Sequence, residues 1–137
     1  MSPTATMREF AMAKTRGLMD DLVSALQHAG AEPDEEAVHK LRVSIRRFQQ
    51  ALRLFGQYLK PGGVEKIKTR LRGIMRIAGE LRNLDIAIAL TKDAGGNAIV
   101  LADRRAGYDQ QLATVLRPLV NPTVAHKWRR QLGLEDE

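Results

Sequence analysis

Val38-His39-Lys40-Leu41-Arg42-Val43-Ser44-Ile45-Arg46-Arg47-Phe48-Gln49-Gln50-Ala51-Leu52-Arg53-Leu54-Phe55 is the stretch on which the fold turns. Its apolar residues Val38, Leu41, Ile45, Phe48, Leu52 and Phe55 recur in alternating steps of three and four, the period of a helix buried on one side. His39, Arg42, Arg46, Gln49 and Arg53 keep the same rhythm and form a second stripe, roughly 110° around the helix from the apolar seam. One helix thus carries a buried face and, along its rim, a ladder of donors placed to line a groove. Asp34 suits the N-cap, and Glu35 and Glu36 favour the positive end of the helix dipole. Pro61-Gly62-Gly63 reads as a stop, so this second helix is expected over about 35–59.

The same period governs the flanks. A third helix is expected from near Val64 to Asp93, its seam Ile67, Leu71, Ile74, Ala78 and Leu81, with Gly79 a candidate kink and Gly95-Gly96 a stop. A first helix runs from about Pro3 to Ala29 and stops near Gly30, with Phe10, Gly17, Leu18, Leu22, Ala25 and Leu26 on its buried side. A fourth spans about Ala98 to Arg117. Asn121-Pro122 reads as an N-cap followed by proline in the first turn, opening a fifth helix. Gly133 to Glu137 reads as a frayed acidic tail. No stretch shows strand alternation. Short connections favour antiparallel neighbours, so residues 1–137 are expected to form one all-α domain, an antiparallel bundle of about five helices.

Charge is distributed unevenly. Between His39 and Arg82 stand twelve Lys or Arg residues against Glu65 and Glu80 alone, a balance of +10; the rest of the chain, with ten basic and fourteen acidic residues, carries −4. On the third helix Lys68, Arg72 and Arg76 recur every four residues as a counterpart to the stripe on the second. If the two helices are antiparallel neighbours, the columns face one channel. Like charges at i and i+4 cost a few tenths of a kcal/mol per pair, which an anionic ligand would relieve. Arginine outnumbers lysine fifteen to seven, suiting bidentate contact with phosphate oxygens. His39 heads the stripe and can donate a hydrogen bond to an anion; His28 and His126 have no such company and are given no role. Arg104 and Arg105 read as surface charges outside the basic region. A polyanion is the expected partner.

Other classes find little support. The chain has no cysteine, which removes disulfides, thiol nucleophiles and Cys-based zinc sites. No His/Asp/Glu group has metal-ligand spacing, so neither a metal nor a cofactor is expected, and no nucleophile or paired acid and base suggests an enzyme. No apolar run approaches the roughly 18 residues of a membrane span, and the N-terminus lacks a secretory pattern; a cytoplasmic protein without membrane attachment is the default.

Val38-His39-Lys40-Leu41-Arg42-Val43-Ser44-Ile45-Arg46-Arg47-Phe48, followed by Ala51-Leu52-Arg53-Leu54-Phe55, resembles the signature helix of the CHAD (conserved histidine α-helical) domain. Ala78-Gly79-Glu80-Leu81-Arg82-Asn83-Leu84-Asp85-Ile86 resembles that family's second motif, in the right order and at a fitting separation. The resemblance implies an all-α fold, binding of inorganic polyphosphate by basic side chains, and association with polyphosphate granules in the bacterial cytoplasm. Carried over residue by residue, it marks His39, Arg42, Arg46, Arg47 and Arg53 on the first motif, Arg72 and Arg76 before the second, and Arg82 within it. With Lys68 these make up the expected polyanion site. Gln49 stands where the family often has another arginine, and Asn83 where it has an acidic residue. The resemblance spans nearly the whole chain but only the first half of a typical two-bundle domain.

Phosphate contacts alone would serve DNA or RNA, so non-sequence-specific nucleic-acid binding is the alternative function. Phe48 and Phe55 are taken up by the seam, however, which leaves few aromatics to stack on bases. A purely structural helical protein whose basic face meets an acidic partner is the third reading. Because one bundle of the family's pair is represented, two outcomes stand side by side: two copies associate as a symmetric homodimer, or the chain folds alone as a small bundle.

Overall fold

The computed structural model describes residues 3–134, with side chains from Met7 onward. The described residues form five α-helices: α1 (Pro3–Ala31), α2 (Glu35–Phe55), α3 (Pro61–Asp93), α4 (Ile99–Leu116) and α5 (Thr123–Leu132), with 3₁₀ turns at Gly56–Tyr58 and Arg117–Leu119. The start of α2 follows the sequence reading: Asp34 Oδ1 accepts the Ala37 amide at 2.8 Å, and Glu35 and Glu36 lie in the first turn. Its end does not, because the last residues before the loop tighten into a 3₁₀ turn. Pro61 opens α3 rather than closing α2, since a proline in the first turn gives up an amide that has no helical partner there. Helix α5 begins at Thr123, one residue later than the sequence reading, with Pro122 at the N-cap position and the Asn121 side chain accepting the Thr123 amide at 3.0 Å.

Helices α1, α2 and α3 pack in sequence, and α4 and α5 both close against α3 and α1. The fourth side of the bundle is therefore two short helices placed end to end. The seams of α2 and α3 meet as expected: Leu41, Ile45, Phe48, Leu71, Ile74 and Leu81 are fully or almost fully buried in one core with residues of every other helix. The first helix departs from expectation. Its buried side is Ala11, Thr15, Met19, Leu22, Leu26 and Ala29, while Gly17 is exposed, Leu18 and Ala25 are half-buried, and Phe10 remains 58% exposed with its ring edge-on to Phe55. Phe10 lies next to the true seam, one residue before Ala11. Buried Thr15 is satisfied by donating to the Ala11 carbonyl at 2.7 Å.

Two glycines record close approaches rather than helix stops. A Cβ on Gly30 would lie 2.4 Å from Val120 Cγ1, and α1 runs one residue past it. A Cβ on Gly63 would lie 1.9 Å from the Gln131 carbonyl oxygen. The same junction is tied by the Lys60 amide donating to the Leu132 carbonyl at 3.1 Å. Gly133, at φ 78°, ends α5 and turns Leu134 into the core, where Arg16 Nε donates to its carbonyl at 2.9 Å. Gly133 and Leu134 are thus a helix cap and a core residue, not a frayed tail; Glu135 to Glu137 lie outside the described residues.

At 33 residues α3 outruns the 21-residue α2. Arg105 on α4 braces it where α2 begins: Nε donates to Asp85 Oδ1 at 2.5 Å and Nη2 to the Pro33 carbonyl at 3.4 Å. Arg105 is only 19% exposed and Asp85 8%, so Arg105 is a structural tie, unlike its exposed neighbour Arg104. The hydrogen bond to Asp85 raises the Arg105 pKa against the opposing effect of burial. Asp109, one turn on, is pushed up chiefly by its burial.

Two stability outcomes are expected. Gly63→Ala should cost on the order of 1–3 kcal/mol, because a backbone carbonyl cannot yield as a side chain can; chemical denaturation measures it. Arg105→Ala should cost about 2–3 kcal/mol by leaving Asp85 buried and unpaired, against about 0.5 kcal/mol or less for Arg104→Ala, compared in the same unfolding series.

Candidate polyanion groove

A candidate groove along the α2–α3 contact follows from the two seams. Each helix turns its apolar face inward, so residues roughly 110° away reach the rim where the helices meet solvent. On α2, Arg46, Arg53 and His39 are exposed while Arg42 and Gln49 are half-buried. On α3, Arg72 and Arg76 are exposed and Lys68 and Arg82 half-buried.

Arg42 sits where the two helices' charges converge. Burial lowers its guanidinium pKa, and the neighbouring charges of Arg46 and Arg82 lower it further. Its Nε is buried and makes no hydrogen bond. A buried donor without an acceptor ordinarily costs about 1–3 kcal/mol. Here it belongs to a cation facing two more cations, a setting that an anionic oxygen would satisfy on both counts.

The remaining positions differ in what they bring. Lys68 Nζ lies 3.9 Å from Glu65 and is partly neutralised. His39, Arg46, Arg53, Arg72, Arg76 and Arg82 make no hydrogen bond or ion pair among the described residues. Steps of four advance about 40° each around a helix. By that geometry Arg76 is turned furthest from Arg82, whose influence on Arg42 marks the side of α2. Lys66 and Arg70 leave the groove altogether and line a cleft with Trp128 of α5.

Arg47 also stands apart. It lines a cleft between α1 and α2 with Asp21, His28 and Lys40, and His39 reaches the same cleft from the helix crest. His28, given no role from the sequence, is therefore part of a lined surface. Asp85, three residues beyond Arg82, is the other residue whose part was missed: its pairing with Arg105 fixes the end of α3 that carries Arg82. Its place in the second motif was the available signal, but its partner lies 20 residues away and no local pattern names it.

No group of three or more His, Asp or Glu among the described residues could hold a metal ion. No helix among them is long and apolar enough to cross a membrane. No curated protein and no solved structure matches the chain. The family model of the CHAD domain matches residues 16–134. That match takes in both basic helices, the bracing pair and the closing helix, and with it the chain belongs to the CHAD domain family.

Proposed function

We propose that this chain is a binding module, not a catalyst, and that it holds inorganic polyphosphate along the groove between α2 and α3. The observation that carries the reading is Arg42, with a buried, unpartnered Nε beside the charges of Arg46 and Arg82. His39 and Arg53 extend the donors along α2; Lys68 and Arg72 line the α3 side, with Arg76 at its outer edge. A linear chain of phosphates presents an oxygen acceptor to each in turn, and charge-assisted bonds to anionic oxygen are the stronger kind. The same reading puts the protein in the bacterial cytoplasm at polyphosphate granules, as the family's association suggests.

Titration with long-chain polyphosphate at several salt concentrations is the direct test. Affinity should fall steeply with salt, because each neutralised phosphate releases counterion. Arg46→Glu with Arg72→Glu should weaken binding at least about a hundredfold, each reversal being worth about 1.4 kcal/mol or more. Arg104→Glu with Arg117→Glu should do far less. Salt-independent binding, equal losses in both double variants, or tighter binding of single-stranded DNA at matched phosphate would each defeat the reading.

The reading extends to a pair of chains. Beyond the brace, Ile86 and Leu90 of α3 and Ile99 and Val100 of α4 are exposed. Between Asn83 and Arg104 the chain holds two basic and three acidic residues. This overhang is apolar and nearly neutral, so a second copy could meet it without bringing the +10 surfaces together, in a symmetric contact. Sedimentation across a concentration series, with and without polyphosphate, should show a dimer that Leu90→Glu with Val100→Glu abolishes; a monomer throughout counts against pairing and leaves the groove intact.

A further inference from the structure

Arg47 belongs to the first motif by sequence but not to the groove by position. Between α1 and α2 it borders a cleft with a volume of about 420 Å³, within the range of small-molecule sites. The two walls differ in chemistry. From α2 come the cations: Arg47, which has no ion pair among the described residues, and Lys40, whose ammonium lies 3.2 Å from Glu36. From α1 come Asp21 and Ser24, one helical step apart, with His28 a further turn along. Ala25, Ala37 and Val43 supply an apolar surface between them.

We propose that this cleft binds a small phosphomonoester whose organic body carries hydroxyl groups. Arg47 and Lys40, with the imidazole of His39, take the phosphate on the α2 wall. Asp21 and Ser24 take the hydroxyls on the α1 wall, where a carboxylate can only accept. Asp21 also sets the selectivity. A polyphosphate laid along the cleft would bring a second charge against that carboxylate, and the like-charge contact rejects it. A single phosphate on a neutral, hydroxylated body avoids the clash. The two sides of α2 therefore sort anions by shape: long chains on the α3 side and compact monoesters on the α1 side, with His39 on the crest between.

Calorimetric titration of the full chain with ribose 5-phosphate, glycerol 3-phosphate and glucose 6-phosphate tests this, with free ribose and inorganic phosphate as comparisons. At least one ester should bind saturably and about tenfold or more tighter than inorganic phosphate, a difference of roughly 1.4 kcal/mol. Arg47→Glu should remove that binding. Arg47→Gln should weaken it by a similar route without reversing charge, should the first variant disturb the helix. Asp21→Asn should lower affinity for the ester and leave inorganic phosphate unchanged or improved. Arg46→Glu, on the far side of α2, should keep ester binding while losing polyphosphate, so the two sites fail separately. Three outcomes overturn the proposal: no saturable binding of any ester, equal affinity for ester and inorganic phosphate, or ester binding lost in Arg46→Glu and retained in Arg47→Gln.

Discussion

The molecule rests on a contest between apolar burial and charge repulsion along the α2–α3 contact. Two neighbouring helices carry most of a +10 stretch, and nothing in their surface chemistry would hold them together. What does so is the interlocking of Leu41, Ile45 and Phe48 with Leu71, Ile74 and Leu81, none more than 2% exposed. Burying a large aliphatic or aromatic side chain is worth about 1.5–3 kcal/mol, whereas a screened like-charge pair on a helix costs a few tenths of a kcal/mol. Burial wins by a wide margin, and the repulsion remains stored at the rim. Arg42 is where it is most concentrated, since its guanidinium is partly withdrawn from water and faces Arg46 and Arg82. The fold thus holds like charges together at this rim, with the Arg42 Nε left without a hydrogen-bond partner.

Helix α2 is the shared wall of two different surfaces. Its seam faces inward, its stripe looks towards α3, and Arg47 looks towards α1. Adjacent arginines at positions 46 and 47 are separated by 100° of helix, so a doublet that reads as one patch in sequence divides between two neighbours in space. Asp85 and Arg105 matter for the same wall. By tying α3, α4 and the α1–α2 connection at one point, they fix the part of α3 that carries Arg82.

The seams of α2 and α3 were legible because both are long, regular and strictly helical in period, and Asp34 announced the first of them. The buried side of α1 was harder to read. Its small and apolar residues occur nearly all the way round, so Phe10 and Leu18 compete with Ala11 and Met19, and periodicity alone does not separate them. Gly30 and Gly63 were readable as breaks but not as contacts, because their partners Val120 and Gln131 lie far along the chain. The candidate groove was foreseeable from residue spacing. The division of Arg46 from Arg47 and the burial of Arg105 were not, since both depend on which helix packs on which side.

The two-piece fourth side of the bundle bears on how the protein breathes. Ten residues are too few for α5 to persist as an isolated helix, so its order comes almost wholly from docking Val124, Trp128 and Leu132. Such a segment forms its own cooperative unit, opening at less free energy than the whole chain. Its amides would exchange with solvent through detachment from α3 and α1, the helices it packs on. The α2–α3 contact need not part in that event. Opening of this kind would fall on the side of α3 away from the α2–α3 contact, whose core residues would stay packed while α5 comes and goes.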